Sequence, residues 1–372
     1  MTIIMGYTIG IVPIVMGDIL VTRTGALPSE FNKLAFGRME DEAAAHVCML
    51  RQKVNIINDN MIIAWAGSLL QARAALSHIA DEIEHRPDAA SDITAVIHAI
   101  PEEERDDLSL IGLFRRRDKT SFFWHGVKCV SVEVLTNAVI AGSGTDFVVK
   151  LVAELEHAYR TRLPDNDDGM LRDQDKAISY AMWIAAEAAG LEHASGENLI
   201  DRWGGAIEVA SFEMGRAKKL SDALYVFWDF HTEGGGRLEL VSKFVKVQYH
   251  EDLLVIFLLS GQGPSLEEMT FEVEVWGIPP LLSPYRIGSV VQVPRPTFGY
   301  DHLCSQIVIK TGTTAQKVVT RVLRRKDDHS IRFWQHGRKT AVEIDDDYKS
   351  AIETQARETS AEVATTAVRD CK

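Results

Sequence analysis

From Ile3 to Gly17 the chain is almost wholly apolar, with Gly10 and Pro13 as turn residues within it, before Asp18 closes the run. Residues 3–9 and 11–17, rich in Ile, Val and Met, read as two buried strands joined by a turn. A secretory leader is not expected here, because the first basic residue, Arg23, follows the apolar stretch instead of preceding it. No run of about 18 apolar residues occurs anywhere, so no membrane-spanning helix is expected either.

Thr2 stands directly before this hairpin. Trimming of Met1, which the small threonine side chain favours, would leave a hydroxyl and a free α-amine on one residue. Such a nucleophile carries its own general base and needs no histidine. The amine titrates at about 7.7–8.0 when unperturbed, close to working pH. Sixteen residues beyond Thr2 stands Asp18. Further on, Lys53–Ile57 and Met61–Ala66 read as a strand pair around the polar turn Asn58-Asp59-Asn60, and Trp65-Ala66-Gly67-Ser68 leads into a helix that Ser68 is placed to cap. Leu69, Ala72, Leu76, Ile79 and Ile83 recur at helical spacing and give that helix one apolar stripe.

Taken in order, Thr2, the Gly17-Asp18 pair, Lys53 opening a strand and Ala66-Gly67-Ser68 fourteen residues later resemble the proteasome β-subunit superfamily of N-terminal-nucleophile hydrolases. Ala141-Gly142-Ser143-Gly144 is similar to that family's Gly-Ser-Gly before a second helix pair, and Asp201-Arg202-Trp203-Gly204-Gly205 to its Asp-x-x-Ser-Gly-Gly. The resemblance covers about residues 2–230. It implies an α+β fold, a four-layer α-β-β-α sandwich, in which each sheet buries one face on the other and one under helices.

The resemblance also implies roles. Thr2 Oγ attacks a carbonyl; Lys53 lowers the proton affinity of the Thr2 groups; Asp18 pairs with Lys53; Ser143 and Asp201 orient the α-amine; the Gly67 N–H donates to the oxyanion. Trp65 falls where the family places the base of its specificity pocket, and a tryptophan there leaves room only for small side chains or for none. Three positions depart from the family pattern: Ile3 replaces a second threonine, Ile19-Leu20 replace small or polar residues after the aspartate, and Trp65 fills the pocket base. The alternative is that Thr2 is an ordinary strand residue, Asp18–Lys53 a structural ion pair and Ser143 a helix cap.

At 372 residues the chain is long for one such module, so two domains are expected, residues 1–232 and 233–372. In the first, further strands are predicted at 108–113, 120–125, 127–134, 137–141, 205–212 and 223–230. One helix carries Val148, Leu151, Val152 and Leu155 on a face, and a second spans about 173–189. The second domain is read as β-rich, with strands near 237–249, 252–260, 269–277, 287–293, 304–310, 316–324 and 330–336, and a helical tail over 343–366.

A net charge of −13 argues against nucleic acid and against an anionic membrane surface as partners. Cys48, Cys129, Cys304 and Cys371 lie far apart, so no zinc site, other metal site or disulfide framework is expected, and a reducing cytoplasm fits. Arg115-Arg116-Arg117-Asp118 before Phe123-Trp124-His125-Gly126, echoed by Arg324-Arg325-Lys326-Asp327-Asp328 before Phe333-Trp334, reads as hairpins with solvated basic turns. The expectation is a cytoplasmic, cofactor-free threonine peptidase or amidohydrolase acting on a peptide or amide substrate as a homo-oligomer. A catalytically silent assembly or binding protein on the same fold, and a small-molecule amidase of the same class, stay open.

Overall fold

The computed structural model describes residues 2–22, 47–86, 92–117, 119–130, 135–162, 173–195, 205–220, 222–262, 270–282, 299–311, 314–324, 330–336 and 339–370. The apolar hairpin forms as expected: β1 (Ile4–Ile9) pairs antiparallel with β2 (Val12–Asp18), from Ile4 opposite Gly17 to Ile9 opposite Val12. It lies at the middle of a six-stranded sheet with β9 (Lys128–Val130), β10 (Thr136–Ala141), β11 (Ile207–Glu213) and β12 (Arg216–Lys219), in the order β12-β11-β2-β1-β10-β9.

A second sheet, β5-β6-β7-β8, is built from β5 (Val54–Asn58), β6 (Met61–Gly67), β7 (Leu108–Arg116) and β8 (Lys119–His125). Strand side chains alternate between faces, so one apolar run can supply two cores. Ile4 and Val15 of the first sheet meet Val54, Ile62, Ala64, Ile111 and Leu113 of the second in one cluster. The other face of β6, Met61, Ile63 and Trp65, is covered by α1 (Leu69–His85) through Ala72, Ala75, Leu76 and Ile79, and by α2 (Ile93–Ala99). Ser68 is the cap residue of α1 but its hydroxyl makes no capping bond, whereas Asp92 caps α2 by accepting from the Ala95 N–H at 3.2 Å.

On the opposite side, Ile3, Met5, Tyr7, Ile14 and Met16 face α3 (Thr145–Arg162) and α4 (Asp173–Ser195). The alanine-rich α4 is buried nearly all round, as a helix apolar on every side must be. Its far side packs on a third, six-stranded sheet, β16-β15-β14-β13-β17-β18. This sheet comprises β13 (Ala223–His231), β14 (Arg237–His250), β15 (Leu253–Gln262), β16 (Thr270–Ile278), β17 (His302–Thr311) and β18 (Thr314–Arg324), antiparallel except for the parallel pair β13–β17. Its outer face is covered by the hairpin β19 (Ile331–His336) with β20 (Lys339–Ile344) and by α5 (Asp346–Asp370).

The fold is thus mixed α+β with several sheets. β13, on the N-terminal side of the boundary expected at 232/233, pairs entirely within the third sheet. Residues 339–344 form a strand where a helix was expected to begin at 343, and the strand expected at 287–293 lies outside the described residues. A short pair, β3 (Leu20–Thr22) with β4 (Val47–Leu50), follows Asp18. Among the described residues no helix is long and apolar enough to cross a membrane.

Candidate active site

The ends of β2 and the start of β5 meet beneath Thr2. Asp18 closes β2, where its N–H donates to the Ile3 carbonyl at 3.0 Å and its Oδ1 accepts the Ile3 N–H at 3.2 Å. Gly17 brings the sheets close: a Cβ there would lie 3.0 Å from Lys53 Cβ. The Lys53 side chain therefore runs into the space below Thr2, and its Nζ donates to Thr2 Oγ1 at 2.6 Å, to Asp18 Oδ1 at 3.1 Å and to the Leu20 carbonyl at 2.6 Å. An ammonium has three donors, so all are matched. Lys53 and Asp18 are fully buried and Thr2 is 5 % exposed.

Thr2 is held from the other side by the turn before α3. Its backbone nitrogen donates to Ser143 Oγ at 3.0 Å, and its carbonyl accepts from the Gly144 N–H at 3.4 Å. Gly142 lies in the left-handed region at φ 99°, and a Cβ there would fall 1.8 Å from the Thr2 carbonyl oxygen, so only glycine lets this turn approach the threonine. Ser143 spends its hydroxyl on Thr2; the α3 start is held by Thr145, whose Oγ1 donates to the Gly142 carbonyl at 2.5 Å.

Trp65 is fully buried, with its ring centroid 5.1 Å from Lys53 Nζ and its Nε1 donating to the Gln52 carbonyl at 3.2 Å. The indole is thus a wall against Lys53, packed on the α1 side. Gly67 ends β6 at φ 106°, exposed, against the backbone of Asp107, and among the described residues it makes no hydrogen bond to Thr2, Asp18, Lys53 or Ser143. Asp201 lies outside the described residues. The structure thus brings Thr2, Asp18, Lys53 and Ser143 into direct contact and sets Trp65 beside them.

Four residues that the sequence reading did not single out complete the surroundings. Glu208, buried in β11 opposite Gly17, accepts the backbone N–H of Lys53 at 2.6 Å and of Val54 at 3.0 Å on Oε2, and takes Lys219 Nζ at 2.7 Å and Tyr249 OH at 2.9 Å on Oε1. Lys219 also donates to Gln52 Oε1, and Gln52 Nε2 donates to the Asp252 and Ile278 carbonyls at 2.7 and 2.6 Å. Lys53 is thereby fastened through its backbone to the third sheet. Burial pushes the Lys219 ammonium down while Glu208 beside it works the other way; burial, and then Glu208, raise Tyr249. A charge flanked by apolar residues in Ile207-Glu208-Val209-Ala210 was the available signal.

A further carboxyl, Glu192 on α4, is buried and pushed up to about 8, first by desolvation and in smaller part by the Asp18 charge. Its Oε2 accepts the Gly205 N–H at 3.1 Å and its Oε1 has no hydrogen-bond partner among the described residues, which suits a protonated acid. Among the described residues no group of three or more His, Cys, Asp or Glu is placed to hold a metal ion, and Cys129 and Cys304 are unpaired thiols. The chain matches no family model and no curated protein at a significant level.

Proposed function

We propose that the chain is an N-terminal threonine hydrolase that cleaves a peptide or amide bond, with Thr2 as nucleophile once Met1 is removed. The observation that carries this reading is Lys53 Nζ 2.6 Å from Thr2 Oγ1, within a group that also holds Asp18 and Ser143. In this mechanism the Thr2 α-amine takes the hydroxyl proton as Oγ1 attacks the carbonyl carbon, then passes it to the leaving nitrogen, so that an ester remains on Thr2. Water deprotonated by the same amine releases the acid and restores the hydroxyl. The Lys53 charge favours the alkoxide, and Ser143 Oγ orients the nitrogen that becomes the amine. Gly67 N–H is assigned to the oxyanion and Asp201 to the amine. The packing order of α1 and α2, second sheet, first sheet, α3 and α4 supports the four-layer α-β-β-α sandwich that the resemblance implies.

The 5 % exposure of Thr2 and the full burial of Trp65 favour a second reading, in which the substrate is a small amide or the site is silent and the fold serves assembly or binding. Intact mass followed by a β-lactone and a peptide epoxyketone separates these. The hydrolase reading expects loss of Met1 and one adduct on Thr2 with both reagents, absent in Thr2→Ala. Labelling by the compact lactone alone points to a small-molecule amidase. A free Thr2 amine that takes neither reagent nor hydrolyses a broad amide panel leaves the silent module.

A further inference from the structure

The second sheet ends in β8 and the third ends in β16, and among the described residues no strand pairs with the outer edge of either. Such edges present unpaired N–H and C=O groups that another strand can complete. The two edges have opposite chemistry. β8 runs beside a cleft of about 960 Å³ whose lining includes Phe114, Arg116, Arg117, Lys119, Phe122 and Trp124. The three cations are exposed, none has an ion-pair partner among the described residues, and Trp124 is 48 % exposed. β16 reads Thr-Phe-Glu-Val-Glu-Val-Trp-Gly-Ile, with Glu272 exposed and Val273 and Val275 each about 40 % exposed.

We propose that β16 of one copy docks along β8 of a second copy, extending the second sheet by one strand and bringing Glu272, Val273 and Val275 against the basic, aromatic cleft. Main-chain bonds supply the pairing and the cleft supplies the selectivity. Copies carrying a net charge of −13 repel one another overall, so the exposed cations beside β8 mark where an acidic strand is attracted locally. The lengths fit: β8 has 7 residues and β16 has 9, and at about 3.3 Å per residue the shared ladder is roughly 20 Å long. Two different patches meet, so the contact is head-to-tail and each added copy leaves one edge of each kind available. One strand in a cleft buries less than the roughly 1,200 Å² of a stable interface, so assembly is weak and salt-sensitive.

Light scattering and sedimentation of the full chain between about 1 and 200 µM test this, with two folded variants: Arg116→Glu at the end of β7 with Lys119→Glu on β8, and Glu272→Lys with Val275→Lys on β16. The wild type should gain mass with concentration and lose it near 0.5 M salt; each variant alone should stay monomeric; a 1:1 mixture of the two should associate again, because each then meets its complement. A wild type monomeric throughout overturns the proposal, even if it binds an added acidic peptide. So does either variant assembling like the wild type, or a mixture that stays monomeric. Should a double variant fail to fold, Lys119→Gln and Glu272→Gln replace them, each expected to weaken wild-type association several-fold; no change overturns the proposal.

Discussion

Each half of the molecule buries a lysine against an aspartate, and the two pairs behave differently. Lys53, between the first two sheets, meets an Asp18 that is also fully buried, and its remaining donors reach a hydroxyl and a carbonyl. Lys246, in β14 of the third sheet, meets Asp222 at 2.8 Å, but that aspartate is 39 % exposed, and the ammonium also reaches the Gly299 carbonyl. A pair open to water on one side loses little when broken, because the stranded carboxylate can be hydrated. A fully desolvated pair leaves a bare charge. Burial of a lysine is therefore a structural device in both places, and the contact with Thr2 Oγ1 is what distinguishes the first as a candidate for chemistry.

The largest expected effect breaks this comparison at Lys53. Lys53→Met should abolish adduct formation at Thr2 and cost about 3–5 kcal/mol in denaturant unfolding, since the buried Asp18 charge loses its cationic partner. Adding Asp18→Asn should recover most of that stability and none of the labelling. Lys246→Met should cost about 1 kcal/mol and label like the wild type. Equal losses at the two lysines would erase the distinction drawn here.

Next in size is Glu192, which places a third ionisable group in the same desolvated region. Its carboxyl stays protonated to about pH 8 in the folded chain but ionises near 4.5 in an ordinary setting. The folded state holds the extra proton between those values, so this group's contribution is full below about pH 4.5, falls as pH rises and is lost above about 8. Glu192→Gln should flatten the fall, with a gain on the order of a few kcal/mol at pH 8 relative to wild type and little difference at pH 4.5. Parallel stability curves for the two proteins across that range would place the proton elsewhere.

Among changes expected to alter labelling, the smallest is at the seam between the regions. Glu208→Gln keeps an oxygen for the Lys53 and Val54 N–H groups but loses the charge facing Lys219, so a loss of about 1–2 kcal/mol is expected. Because Glu208 fixes the Lys53 backbone without touching Thr2, labelling should slow several-fold and not stop. Unchanged labelling would mean that the third sheet stabilises the site region without positioning it.

Much of the architecture was legible one strand at a time. The β1–β2 hairpin, β5, β6 and α1 follow from apolar periodicity, and their ends fall within about two residues of expectation, as boundaries read from pattern do. The seven-residue α2 is too short to show a helical stripe, and the bounds of α5 were shifted because Lys339–Ile344 pairs with β19 and Asp345 caps the helix, accepting the Tyr348 N–H at 3.0 Å. The alanine-rich α4 announced itself as a helix, yet nothing in its composition said that a different sheet would lie on each side.

The sequence by itself determined which residues alternate into strands, and it placed Thr2, Asp18, Lys53 and Ser143 at the ends and turns of those strands. Tertiary structure alone decided that these four touch, that Trp65 packs against the lysine, and that Glu208, Lys219, Gln52 and Tyr249 tie the Lys53 backbone to the third sheet. The reason is physical. Periodicity is a local property that tells which face of a strand is apolar, whereas the group lying across that face is set by sheet order and register, and these bonds join residues 155 and 167 positions apart.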